Sequence, residues 1–144
     1  MIIHPLKLND YDASRPLWAA YLELYEAYVE DAFCKLDFKQ LISPEQPIQC
    51  ASLAEKGGDL VGIVHYIIHP HNWKAEEVLY LQDLFVQSDQ RDRGVGRALI
   101  EAVYKAADDQ GSPTVYWLMQ EFNQVAGRRY DSIATVKPFL KYTR

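Results

Sequence analysis

The chain has 144 residues, 49% of them hydrophobic and 24% charged, which suits one globular domain over residues 1–144 that buries its own core. A net charge of −5 argues against a nucleic-acid partner, because surfaces that track phosphates are basic. No apolar run approaches the ~20 residues that cross a bilayer, so no membrane partner is expected.

The opening MIIHPLKLND lacks the basic, apolar and small-residue sections of a secretion signal. Cys34 and Cys50 form no CxxC pair and have no histidine at metal spacing, so a reduced, cytoplasmic protein without a metal site is expected.

In chain order, IIHPLKL (2–8) reads as a first strand. Asp10, Asp12 and Ser14 offer N-caps, and Pro16 is tolerated in a first helical turn. Leu17, Trp18, Tyr21, Leu24, Tyr25 and Tyr28 recur at helical spacing, which predicts a helix to about Val29. DAFCKLDFKQLI predicts a second helix. The two apolar runs around Gly57-Gly58 predict a hairpin, and VLYLQDLFV (Val78 to Val86) predicts a strand.

A helix follows with an apolar stripe of Val95, Ala98, Leu99, Ala102, Val103 and Ala106, stopped by Gly111 and Pro113. TVYWLM predicts a strand, NQVAGRRYDSI a helix capped by Asn123, and VKPFLKY a closing strand. The order βααβββαβαβ is α/β, with one strand–helix–strand crossover at its centre.

QRDRGVGRALI (90–100) places Gly94 and Gly96 at the start of a helix, against their propensity. The first N–H groups of a helix lack intrahelical partners, and the helix dipole makes that end positive. Glycines let an anion approach such a nest of amides, and arginines add planar charge-assisted hydrogen bonds. Arg91, Asp92, Arg93, Gly94, Val95, Gly96 and Arg97 thus read as a pyrophosphate cradle. The plainer alternative is a glycine loop with solvated arginines. A Walker loop needs Gly-Lys-Ser/Thr, and Gly96 is followed by Arg97-Ala98. A dinucleotide fingerprint needs a third glycine where Leu99 stands.

These segments resemble the GNAT superfamily of acetyl-CoA-dependent N-acetyltransferases. Its Gln/Arg-x-x-Gly-x-Gly/Ala motif is similar to Arg91-Asp92-Arg93-Gly94-Val95-Gly96, preceded by LYLQDLFV and followed by SPTVYWLMQEFNQVAGRRYDSI. The resemblance covers about Leu60 to Ile133, and PTVYW with EFNQVAGRRY is similar to the polyamine- and histone-acetylating branch. It implies a mixed, mostly antiparallel sheet with splayed central strands flanked by helices. It also implies acetyl-CoA bound along Leu84, Phe85 and Val86 and in the cradle, with Asn123 on the pantetheine arm.

By the same resemblance, Tyr130 is the general acid to the leaving thiolate; the alternative for Tyr130 is a core aromatic. Asp83 is a substrate anchor or a proton acceptor through water, sharing a face with Leu81 and Phe85 unless a bulge intervenes; the alternative is a strand-edge aspartate held by backbone amides. Gln82 stands where many relatives carry glutamate, so it can bond but cannot act as a base. Trp18, Tyr21 and Tyr25 could wall an amine pocket by cation–π attraction, or be core, and Glu121 is a further acidic candidate.

The expected reaction is acetyl transfer to a primary amine, with a small polyamine or amino-acid-like amine as acceptor. A protein lysine or N-terminus, a non-catalytic acyl-CoA-binding regulator and a nucleotide-binding module are the alternatives. The resemblance and the short tail after the last helix also imply a homodimer whose sheet a partner chain completes.

Overall fold

The computed structural model describes residues 1–45, 48–120 and 123–144. Five strands, β1 (Ile2–Pro5), β2 (Gln49–Lys56), β3 (Asp59–His69), β4 (Val78–Val86) and β5 (Val115–Tyr116), form one sheet in sequence order. The first four pair antiparallel, and β5 joins β4 in parallel. Helices α1 (Tyr11–Leu24) and α2 (Asp31–Leu41) follow β1; α3 (Val95–Asp109) makes the β4–β5 crossover and α4 (Gln124–Tyr130) follows β5.

The β2–β3 turn is a two-residue loop in which Gly57 (φ 65°) and Gly58 (φ 93°) both take the left-handed conformation that suits the twist of paired strands. The sheet is then packed on both faces. Against one face α3 buries Val95, Leu99, Ile100, Val103 and Ala107 over Ala54, Val61, Val64, Ile68, Leu79 and Leu81. On the other, Leu17 of α1 and Phe38 of α2 meet Leu6, Ala51, Leu53, Ile63 and Phe85. The α3 stripe is rotated slightly from the expected one: Ile100 and Ala107 are buried, while Ala98, Ala102 and Ala106 are only partly so. Gly62 lets α3 lie close: a Cβ there would stand 3.0 Å from both Leu99 Cδ1 and the Phe85 carbonyl oxygen. Helix α3 ends as expected at Gly111 (φ 69°), where the Ser112 N–H reaches back to the Ala107 carbonyl at 2.9 Å.

Four expectations need correction. Helix α1 stops at Leu24, not Val29, because Glu26 adopts φ 52° and the Ala27 N–H closes onto the Leu22 carbonyl; Tyr28 is left outside, 87% exposed. Pro16 lies in the second turn of α1 rather than the first, and the Asp10 carboxylate accepts from the Lys7 N–H (2.8 Å) instead of capping α1. The strand expected over 114–119 shrinks to Val115–Tyr116, since β4 diverges from it beyond Tyr80. VKPFLKY forms no strand: Pro138 lacks an N–H, and the two-residue β5 offers almost no edge to receive it.

Candidate active site

The register of β3 and β4 shifts once. His65 pairs with Asp83 but Tyr66 pairs with Leu81, so Gln82 is an extra residue, exposed on a β-bulge. A strand alternates faces with period two, so one inserted residue reverses the parity beyond it. Leu79 and Leu81 face α3; after the bulge Leu84 and Val86 do, while Asp83 and Phe85 turn to the α1 side. Asp83 therefore shares a face with Phe85 and not with Leu81.

There its two carboxylate oxygens are engaged by different elements. Oδ1 accepts from the Tyr21 hydroxyl of α1 at 2.6 Å, and Oδ2 lies 3.1 Å from Nδ1 of His65. Both members of the latter pair are nearly buried, with 14% and 10% of their side chains exposed. Burial, and then the Asp83 carboxylate, push the Tyr21 phenol far above its ordinary range, so it stays a neutral donor.

Rings wall this cluster. Trp18 stacks on Tyr21 (5.1 Å) and meets the His65 ring edge-on (4.8 Å), and Tyr25 tilts against Tyr21 at 4.8 Å. Tyr21 also packs against the core around Phe85, whereas Tyr25 is half exposed and the fully buried residues of α1 are Ser14 and Leu17. Tyr80 and Tyr116 stack at 5.1 Å, and burial and the nearby Asp83 raise the Tyr80 phenol.

A cavity of about 270 Å³ opens beside the cluster between α1, α2 and β3, lined by Trp18, His65, Asp37, Arg15, Asp31 and Cys34 among others. Arg15 pairs with Asp31, whose carboxyl is held low first by Lys35. Burial, reinforced by the charge of Asp83, raises Asp37. The cavity is thus aromatic-walled with a net excess of carboxylate.

The second half of the site lies where β4 leaves the sheet. Only Leu79–Val115 and Tyr80–Tyr116 pair with β5, so Leu84, Phe85 and Val86 have no strand beside them on that edge among the described residues. The chain then turns through Arg91 (ψ 160°), Asp92 (φ 62°) and Gly94 (φ 82°) into α3. The first intrahelical bond runs from Ala98 N–H to the Gly94 carbonyl, which leaves the Val95, Gly96 and Arg97 amides unused by the helix. A Cβ on Gly96 would meet only Val86 Cγ2, at 3.7 Å, so there is open space on the Gly96 side of this first turn. Arg91 folds back, its Nε donating to the Val86 carbonyl at 3.1 Å, and Arg97 pairs with Glu101 at 2.8 Å. Arg93 is exposed.

Asn123 caps α4, its Oδ1 accepting from the Ala126 N–H at 3.2 Å. Tyr130, at the end of α4, packs edge-on against Trp117 with centroids 5.3 Å apart, partly buried beside the α3-side core. Glu121 lies outside the described residues. Neither His65 nor Asp37 was expected in the site. The signal available was a histidine in the middle of VGIVHYII, an apolar strand that cannot bury an imidazole without a partner.

This crossover with its amide-lined turn occurs in a known family: a family model described as Acetyltransferase (GNAT) family matches residues 13–133. The chain belongs to the GNAT acetyltransferase family. The chain is similar to the D-amino-acid N-acetyltransferase HPA3 of Saccharomyces cerevisiae, 32% identical over all of this chain and 90% of that protein. It is 27% identical to the L-ornithine N5-acetyltransferase NATA1 of Arabidopsis thaliana, over 85% of this chain but only 49% of that one. The solved structure of AAC(6')-Iy in complex with the bisubstrate analogue CoA-S-monomethyl-acetylneamine has the same fold, with a TM-score of 0.85 at 18% identity over 99% of this chain and 96% of that one.

As a GNAT member the protein is an acetyl-CoA-dependent N-acetyltransferase. Its own residues fit that coenzyme: unused helix amides, a glycine where a side chain would fill the approach, and a strand edge left open by the divergence of β4 and β5.

Proposed function

We propose that residues 1–144 form one N-acetyltransferase unit that acetylates a small primary amine, a polyamine or an amino-acid-like amine. The observation that carries this reading is the largely shielded Asp83 beside an aromatic-walled cavity with excess carboxylate, a setting that attracts a compact cation. The relatives support it, since the yeast protein is named for D-amino acids and the plant protein for ornithine.

In this reading the Val95, Gly96 and Arg97 amides, with Arg91, Arg93 and the backbone of Asp92 and Gly94, hold the diphosphate. The open edge at Leu84, Phe85 and Val86 takes the pantetheine arm, with Asn123. Bound acetyl-CoA supplies the acyl group: a C–N bond forms to the amine as the C–S bond breaks and sulfur leaves with the electron pair. Tyr130 donates its phenolic proton to that sulfur, and the proton released as the amide forms restores it through solvent. Trp18, Tyr21 and Tyr25 enclose the amine, Gln82 at the bulge can hydrogen-bond it, and Asp83 anchors its charge. Holding donor and acceptor together supplies much of the acceleration.

Cys34 and Cys50 form no disulfide with each other, which fits a reducing, cytoplasmic setting. A homodimer is supported by the apolar side chains of Val136, Phe139, Leu140 and Tyr142, each 80–88% exposed, and by the shortness of β5 at the end of the sheet. Removing residues 135–144 then yields a monomer by light scattering; an unchanged mass contradicts that assembly.

A thiol-release assay with acetyl-CoA and a panel of D- and L-amino acids, diamines, polyamines and a lysine peptide tests the acceptor class. Fastest turnover on a small amine is expected. Turnover on the peptide alone moves the acceptor to protein, and coenzyme binding with no turnover at all identifies a regulator.

A further inference from the structure

Asp83 stands where an acid or base would be sought, yet both of its oxygens already accept hydrogen bonds, from Tyr21 and toward His65. A carboxylate held by two elements at once is not free to swing toward a substrate. It does, however, orient what it touches. With Nδ1–H donated to Asp83, the neutral imidazole carries its lone pair on Nε2. His65 lines the acceptor cavity, and among the described residues Nε2 has no hydrogen-bond partner and is not a sealed orphan.

We propose that His65 is the general base of the reaction, with Nε2 accepting the proton of the substrate ammonium, and that Asp83 and Tyr21 are its positioning residues. This rests on the amine-acetylating reading above. The step balances simply. The N–H bond of the ammonium breaks, its electron pair stays on nitrogen as the nucleophile, and the proton binds Nε2. The imidazolium then returns the proton to water in the open cavity.

The arrangement is that of a histidine held in one tautomer by a carboxylate, a device that recurs wherever imidazole must collect protons near neutrality. Asp83 of β4 touches His65 and is itself held by Tyr21 of α1; the titratable groups that share its cavity are Tyr11 and Arg15 of α1, Tyr28 after it, and Asp31, Cys34 and Asp37 of α2. Arg15 and Asp31 offset each other. What remains is carboxylate, Asp83 in contact and Asp37 on the adjoining helix. Trp18 against the ring edge fixes its plane.

The test uses the full chain with saturating acetyl-CoA and the best amine of the panel. In His65→Gln, kcat/KM at pH 7 falls on the order of 10²-fold or more, the usual contribution of a positioned base. The deficit shrinks as pH rises toward the amine's own pKa of ~10, because free amine needs no base. Added imidazole restores part of the activity of His65→Gly. In Asp83→Asn activity falls but imidazole gives no rescue, and the coenzyme affinity of all three variants equals that of wild type. A deficit that is the same at every pH and unmoved by imidazole reduces His65 to a packing role and overturns the proposal. So does a His65→Gln enzyme that matches wild type, while the acetyltransferase reading stands. A wild type that acetylates no amine overturns both.

Discussion

The cradle and the acceptor cavity are built in opposite ways. The cradle occupies seven consecutive residues, 91–97, and owes its chemistry to backbone: unused amides, two left-handed turns and a missing Cβ. The cavity presents Trp18, Asp37 and His65, backed by Tyr21 and Asp83, residues from four elements brought together by the fold, and its chemistry is all side chain. A common donor is thus bound by backbone that side-chain changes leave in place so long as Gly94 and Gly96 remain, while the acceptor end can be rewritten one residue at a time. Fixed donor binding and variable acceptors follow from that division.

Variants sharpen the contrast. The largest effect is expected for Tyr130→Phe, which removes the proton donor and lowers kcat on the order of 10²- to 10³-fold in single-turnover kinetics. Acetyl-CoA affinity stays unchanged, and an equal loss in both means the ring only packs against Trp117. Next comes the floor beneath both regions. Gly62→Ala forces a methyl to within 3.0 Å of Leu99 Cδ1 and the Phe85 carbonyl, which should lower unfolding stability by about 1–3 kcal/mol in urea titrations. Unaltered stability would mean that α3 shifts freely, and the cradle with it.

The smallest effect belongs to Tyr21→Phe, with a cost of about 1.5–3 kcal/mol for a hydrogen bond to a charged group at most, and less where water replaces the hydroxyl. Its pH dependence has a definite sign. The phenol is raised on folding, so its contribution is complete below the unfolded value of 10.0 and is lost as pH climbs above it. The stability gap between wild type and Tyr21→Phe should be flat from pH 7 to 9 and close at higher pH; a gap that opens there contradicts the assigned donor.

Legibility in the sequence followed the same division. The cradle could be read from QRDRGVG because every participating group lies within one turn of its neighbours, and strand–turn–helix context is local. Strand β4 was legible to the residue from its β-prone content, and the Gly57-Gly58 hairpin from short-range turn chemistry. The bulge at Gln82 was anticipated only as a condition, although it decides which face Asp83 takes. His65 was passed over because its significance is a pairing with Asp83, 18 residues away across a strand register that composition does not encode. VKPFLKY has strand content but no edge to pair with inside this chain, so propensity alone misread it. The end of α1 was misplaced because a left-handed Glu26 is a tertiary choice, not a glycine signal.

The most direct test is calorimetric titration of acetyl-CoA into wild type, Gly96→Trp and His65→Gln. An indole at residue 96 would fill the space before the helix amides without entering the core, where a Cβ meets only Val86 at 3.7 Å. Binding should vanish in Gly96→Trp, whose circular dichroism stays native, and remain at wild-type strength in His65→Gln. Undiminished binding by Gly96→Trp would contradict the account, because the donor would then be held somewhere other than the amides that open α3.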